Sequence, residues 1–284
     1  MRNRIRALLP PVISRLPDLR GRGRMTLFFD RFLTDSSDPR SYETIGTLNR
    51  GVRFHFDLRP WGQKFAYYYR AWEQDYISTL RSLYRGGWFI DVGSSLGLYV
   101  VCMAETVRSH GGRIASIEPV PFNRERQQVN VNLNGAEDVV ELADVALGSG
   151  PAVVRLKVDP EHADNNAFIN EEGDVEVEVV AFNTLCEQRG WRPIGAMKID
   201  VEGYEPMVID GARKTIARDR PTILAEFNRE RMAINGFSIE PSWQFLQTLG
   251  YQAYVLAQGR MLPIREPALH ENMFFVPAEV KIPA

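Results

Sequence analysis

Residues 88–99 read Trp-Phe-Ile-Asp-Val-Gly-Ser-Ser-Leu-Gly-Leu-Tyr, and no other stretch of the chain restricts its fold as tightly. An apolar run of strand length, Trp88–Val92, meets a glycine and passes directly into residues 96–106, which are apolar at helical spacing. A strand apolar on both faces that turns straight into a helix belongs in a parallel sheet covered by helices. The alternation then continues. Strands are expected at Arg113–Ile117, 139–147, 196–199, 222–227, 251–256 and 273–276, with helices over 124–133, 206–217 and 241–249. This pattern predicts an α/β, Rossmann-like, mostly parallel sheet with right-handed crossovers. One segment breaks it. Residues 152–158 and 175–180 are both strand-like around a polar loop at 162–170, which reads as a β-hairpin insertion between the third and fourth core strands.

Upstream of this region the character changes. Residues 1–45 read as short helices broken by Pro10, Pro11, Pro17 and the Gly21–Gly23 stretch, while residues 52–58 alternate as a strand and 73–84 have helical spacing. The expected organisation is a basic helical extension over 1–50 and a catalytic domain over 51–284. Residues 1–31 hold eight arginines against Asp18 and Asp30, a net of +6, which leaves −8 for the rest of a chain whose total is −2. Such a leader suits peripheral contact with an anionic surface, whether lipid, nucleic acid or a phosphorylated carrier, or else is a solvated arm. No apolar run has the length of a membrane span. The early arginines and the Pro10-Pro11 pair do not make a secretory signal. The two cysteines, Cys102 and Cys186, sit in apolar periodic segments as expected of buried free thiols, and the chain reads as cytoplasmic.

The chemistry concentrates at the carboxyl ends of the expected strands, where open α/β sheets bind ligands. Asp91 precedes a turn with glycines at 93 and 97, a spacing distinct from the dinucleotide fingerprint G-x-G-x-x-G. An acid there would repel a pyrophosphate and favours a cation, such as the ammonium and sulfonium of S-adenosylmethionine. Gly93 is expected to leave room for the ligand, and Gly97 to let the helix approach the sheet. Glu118, followed by Pro119, ends the second strand 21 residues after Gly97, where a carboxylate can accept both ribose hydroxyls. Asp144 ends the third strand beside Val145 and either reaches the adenine amino group or caps the chain locally. Asp91, Gly93, Ser94, Ser95, Gly97, Glu118, Pro119, Asp144, Val145 and Asp200 are therefore the candidate cofactor residues.

The segment Met197-Lys-Ile-Asp-Val-Glu-Gly-Tyr-Glu205 places three acids at the end of one strand, an arrangement that calls for a cation or divergent directions. Glu205 reads as a first-turn helix acid, and Asp200 as functional. Asp200, Glu202, Glu226 and His270 are the candidate proton acceptors, and Asp200, Glu226 and Asn228 are candidates for an oxygen-rich Mg²⁺ site. Tyr69 and Glu73, in an aromatic cluster ahead of the core, and Asn165, in the insertion loop, are the candidate acceptor contacts.

With these residues in view, the chain resembles the FkbM family of methyltransferases. The resemblance rests on Asp91-Val-Gly-Ser-Ser-Leu-Gly-Leu-Tyr99, Ile117-Glu-Pro119, Ala146-Leu-Gly148, Lys198-Ile-Asp-Val-Glu-Gly203 with Glu205, Gly211-Ala212 and the strand at 223–226. It implies a class I methyltransferase sheet of seven strands with the last antiparallel, S-adenosylmethionine as cofactor, and O-methylation, often of sugars or polyketide-like hydroxyls. The chain departs from the family pattern at Asn183-Thr-Leu-Cys-Glu187, where Thr-Leu-Asp-Asp is usual, and at Ser94-Ser95, where Ala-Asn is commoner. The leading expectation is thus an O-methyltransferase acting on a small-molecule or glycan hydroxyl. A nucleic-acid methyltransferase using the basic arm and a non-catalytic nucleoside-binding module are the rivals.

Overall fold

The structure, a computed structural model, describes residues 2–15, 22–34, 37–158, 168–169, 172–268 and 272–282. These separate into two compact units, one ending at Gln74 and one beginning at Asp75. The sequence reading drew its boundary at residue 50. The break falls later because the helix at 61–69 packs both on the first helix and on the two strands at 43–57.

The first unit contains α1 (Arg2–Ile13), α2 (Arg22–Leu33), a hairpin of β1 (Glu43–Leu48) and β2 (Val52–Asp57), and α3 (Trp61–Tyr69). Helix α1 runs through Pro10 and Pro11 instead of breaking at them, and ends within three residues of them. Phe54, Phe56 and Leu58, the alternating residues of the expected strand, are fully buried, and α3 packs on both strands and on α1. The aromatic cluster mostly serves this core. Tyr67 meets Phe56 edge-on at 5.5 Å, and the Tyr68 hydroxyl donates to Asp30 at 2.8 Å.

Helix α4 (Gln74–Leu83) leads into the second unit. There follow β3 (Trp88–Val92), α5 (Leu98–Ser109), β4 (Arg113–Ile117), α6 (Pro121–Leu133), β5 (Val140–Ala143), β6 (Ala146–Gly148), β7 (Ala152–Lys157), β8 (Phe168–Ile169), β9 (Val175–Ala181) and α7 (Phe182–Arg189). The unit continues with β10 (Ile194–Ile199), α8 (Glu205–Asp219), β11 (Thr222–Glu226), α9 (Arg229–Ile234), α10 (Glu240–Thr248), β12 (Tyr251–Ala257), β13 (Arg260–Ile264) and β14 (Asn272–Pro277). The main sheet has the order β13-β12-β14-β11-β10-β3-β4-β5. Strands β10, β11, β3, β4 and β5 pair in parallel, and β14 enters antiparallel between β11 and β12. This is the expected α/β, Rossmann-like sheet with its last strand reversed, extended by one edge strand, β13. Strands β3 and β11 read as continuous apolar runs because both of their faces are covered.

The expected hairpin insertion is present as the antiparallel pair β7–β9, within a second sheet of order β6-β9-β7-β8. The expected third strand is divided. It stops at Ala143, and after Asp144-Val145 the chain changes sheets, with β6 pairing with β9. Gly211 of α8 makes that crossing possible, since a Cβ there would lie 2.0 Å from the Gly148 carbonyl oxygen. Both cysteines are buried and neither is in a disulfide, and no helix among the described residues is long and apolar enough to cross a membrane.

Candidate active site

Five parallel strands finish level with one another. Val92 is in register with Ile117 and Ile199, Ile117 with Ala143, and Ile199 with Ala225. Gly93, Glu118, Asp144, Asp200 and Glu226 therefore emerge side by side at the carboxyl edge of the sheet.

The turn after β3 is anchored by the Gly93 and Ser94 N–H groups, which both donate to the Ile117 carbonyl, at 2.9 and 3.2 Å. Gly93 adopts φ +73°, and a Cβ on it would meet the Asp200 carbonyl oxygen at 2.0 Å. The space that sequence reading reserved for a ligand is filled by the neighbouring strand's backbone. At Gly97 a Cβ would meet Gln127 of α6 at 2.8 Å, so this glycine accommodates α6 and not the sheet. Ser94 is turned inward. Its hydroxyl oxygen accepts from Ser116 Oγ at 2.7 Å and from Gln127 Nε2 at 2.8 Å, and Gln127 also donates to Ser116 at 2.6 Å. Ser95 offers its backbone instead, donating to Glu118 Oε2 at 2.9 Å.

Glu118 is 4% exposed. Its Oε1 accepts from the Val120 N–H at 2.9 Å and from Asn123 Nδ2 at 3.2 Å. Burial pushes its carboxyl up, and these three hydrogen bonds pull against that shift. A carboxylate has about four lone-pair positions, so roughly one remains for a ligand. The expectation that Glu118 takes both ribose hydroxyls therefore requires one protein contact to give way. Pro119 and Glu118 also accept, through their carbonyls, from Arg124 at 2.6 and 3.1 Å. Asp144 is exposed at the end of β5, and Val145 packs against the main core.

Asp91 is 2% exposed and stands in register with Ser116 on one side and Lys198 on the other. Lys198, 1% exposed, donates to Asp200 Oδ2 at 3.1 Å and to Asn272 Oδ1 at 3.2 Å, and its ammonium lies 5.4 Å from the centre of the Tyr99 ring. Asn272 is in turn in register with Glu226. The three acids after β10 take different directions. Asp200 faces Lys198. Glu202, at φ +54°, approaches Arg231 at 3.7 Å. Glu205 folds back into the first turn of α8, where its Oε1 accepts from the Val201 and Gly203 N–H groups at 2.9 and 3.1 Å. Burial first, then the charge of Asp200, pushes the Glu202 carboxyl up against the pull of Arg231 and Lys198. Glu205 is raised to about 7, chiefly by burial.

The candidate Mg²⁺ site does not fit this donor set. Asn228 Oδ1 caps α9, accepting from the Glu230 and Arg231 N–H groups, both at 3.1 Å, and Asp200 is bonded to an ammonium. Among the described residues no group of three or more His, Cys, Asp or Glu side chains could hold a metal ion. His270 and Asn165 lie outside the described residues, and Tyr69 and Glu73 belong to the first unit, with Tyr69 packed on Phe65 at 5.4 Å. Sequence reasoning missed Ser116, Gln127, Asn272 and Arg231. None of them belongs to a motif, and each acts through a partner distant along the chain, up to 74 residues for Lys198 and Asn272.

The family model for the methyltransferase FkbM domain matches residues 91–253, more than half of the chain. No curated protein matches the sequence. Among solved structures, an FkbM methyltransferase from Methylobacillus flagellatus is 15% identical with a TM-score of 0.47, covering 96% of this chain and 59% of its own. This chain thus spans less than two thirds of that protein's length. A precorrin-6y C5,15-methyltransferase from Geobacter metallireducens is 15% identical with a TM-score of 0.40, covering 72% of this chain and 85% of its own. A SAM-dependent O-methyltransferase from Thermotoga maritima is 14% identical with a TM-score of 0.38, covering 72% of this chain and 65% of its own.

Proposed function

We propose a function from one premise: this chain belongs to the FkbM methyltransferase family. Its activity is transfer of a methyl group from S-adenosylmethionine to a hydroxyl oxygen of a glycan or natural-product intermediate. The observation that carries this reading is the row of carboxylates at the carboxyl edge of the sheet, Glu118, Asp144, Asp200 and Glu226, with Asp91 buried two residues before the glycine turn and Glu202 two residues beyond Asp200. Such a row suits a cofactor bearing an ammonium and a sulfonium and is unsuited to one bearing phosphates.

When bound, S-adenosylmethionine supplies a methyl group on a positively charged sulfur, already activated for attack by an oxygen. The chain's own residues then have three tasks. Asp91, with the backbone of the 93–97 turn, binds the amino-acid end; Glu118 accepts from the ribose through its remaining lone pair; Asp144 and Val145 border the base. Asp200, fixed by Lys198, orients the acceptor hydroxyl. Glu202 takes its proton, because a carboxyl held above its ordinary value by burial and by Asp200 is a stronger base than an unperturbed one, worth roughly 10²–10⁴ in rate.

Titration calorimetry with S-adenosylmethionine and its demethylated product, followed by label transfer to a panel of hydroxylated acceptors, tests the reading. Absence of cofactor binding overturns all of it. Binding without transfer favours a nucleoside-binding module, and transfer confined to nucleic acid overturns the proposed acceptor class.

A further inference from the structure

The first two helices bury polar side chains while leaving large apolar ones exposed, although α1 also buries Pro10 and Ile13. Helix α1 turns Arg6 inward, where it is 0% exposed and donates to the Ser41 carbonyl at 2.5 Å and to Thr34 Oγ1 at 2.9 Å. Leu8 and Val12 of the same helix are 69% and 59% exposed. Helix α2 buries Thr26 and Asp30. Asp30 pairs with Lys64 at 2.9 Å and accepts from Tyr68, while Phe28 and Phe32 are 59% and 64% exposed with their rings edge-on at 4.8 Å. Each exposed pair is spaced i, i+4 and so shares one helix face. A soluble helix spends its apolar stripe on the core. Here Arg6, Thr26 and Asp30 share the inner faces with Pro10 and Ile13, and four large apolar side chains are left exposed.

The charge of the same segment indicates the occupant. Residues 1–31 carry +6, and one of their only two acids, Asp30, is already paired within the protein. Arg15 and Arg31 are exposed. A surface that accepts both arginines and outward leucine, valine and phenylalanine is the headgroup–acyl boundary of an anionic bilayer. Nucleic acid would engage the arginines and leave the apolar pairs in water. The helices have 12 residues each, about 18 Å, too short to span a bilayer and long enough to lie on one.

We propose that α1 and α2 form a peripheral docking face for anionic lipid, with Leu8, Val12, Phe28 and Phe32 entering the interface and the exposed Arg15 and Arg31 binding lipid phosphates. Co-sedimentation of the full chain with vesicles of mixed phosphatidylglycerol and phosphatidylcholine, and with phosphatidylcholine alone, tests it. Partition onto the anionic vesicles is expected to be at least about tenfold stronger and to weaken as salt is raised. The Phe28→Ser/Phe32→Ser and Leu8→Ser/Val12→Ser variants are expected to lose roughly tenfold each at unchanged melting temperature, since the side chains removed are exposed. Equal binding to both vesicle types, or binding unaffected by either double variant, overturns the proposal. A dimer that Phe28→Ser/Phe32→Ser dissolves would assign the face to a second copy of the chain. Retention on DNA or RNA without vesicle binding would assign the arginines to nucleic acid. Either result overturns it as well.

Discussion

A methyl group added at Gly93 would sit 2.0 Å from the Asp200 carbonyl oxygen, on a residue with positive φ. Left-handed strain of about 1–2 kcal/mol adds to an overpacking cost of about 1–3 kcal/mol. Gly93→Ala is therefore expected to lower unfolding stability by about 3 kcal/mol, read from the urea midpoint, and not to act as a clean binding mutant. Glu118→Ala behaves differently. It strands the Ser95 and Val120 N–H groups and removes a charged acceptor, so cofactor binding should weaken by about 1.5–3 kcal/mol in calorimetry; an unchanged dissociation constant would remove Glu118 from the site. Asp200→Asn and Glu202→Gln should both lower turnover far more than cofactor affinity, because their roles concern the acceptor. In the wild type kcat/KM should fall on the acid side as the raised Glu202 carboxyl is protonated, and Glu202→Gln should abolish that limb. Because the Asp200–Glu226–Asn228 set does not suit a metal, turnover should survive EDTA; activity restored only by Mg²⁺ would contradict this.

At the level of elements, the turn leading into α8 depends on one buried acid. The folded pKa of Glu205 is about 7, against an ordinary carboxyl value of 4.5. Below the lower value both states are protonated. Between the two values the folded protein holds a proton that the unfolded chain has released. Stability from this group is therefore greatest in acid and declines as pH rises toward 7, by an amount on the order of 3 kcal/mol. Glu205→Gln should flatten this part of the stability–pH curve in chemical denaturation, and an unaltered slope would show that the group does not titrate there. The buried strands were legible in the sequence because both-face burial leaves continuous apolar runs, whereas the reversal of the last one was implied only by the resemblance to the FkbM family. The exposed edge strand β13 was not legible: it alternates weakly, contains Pro263, and is defined by its register with β12. The break after Ala143 was hidden for the opposite reason, since the residues on both sides are apolar although they serve different sheets. In the site, the acids at strand ends were legible from position alone. Their partners were not, because the contacts of Gln127 and Asn272 are made by the fold and have no local spacing.

For the whole molecule, the distribution of charge matters more than its sum. The +6 of residues 1–31 against −8 elsewhere means that an anionic surface attracts one end of the chain and repels the remainder. Charge reversal at the exposed Arg15 and Arg31 should therefore weaken anionic-vesicle binding without lowering the melting temperature, and unchanged sedimentation would show that these charges are not used. Deleting residues 1–31 would be a poorer test, since it also removes Arg6 from Ser41 and Asp30 from Lys64.

The position of β14 carries a consequence for synthesis. It lies between β11 and β12, yet it is the last of the three to be made. Until residues 272–277 take their place, β11 and β12 cannot join, and each presents a row of unpaired backbone groups. Lys198 then also lacks the Asn272 oxygen that it holds in the finished protein. A chain in that state is exposed to edge-to-edge association, and insertion of β14 both closes the gap and completes the surroundings of Lys198.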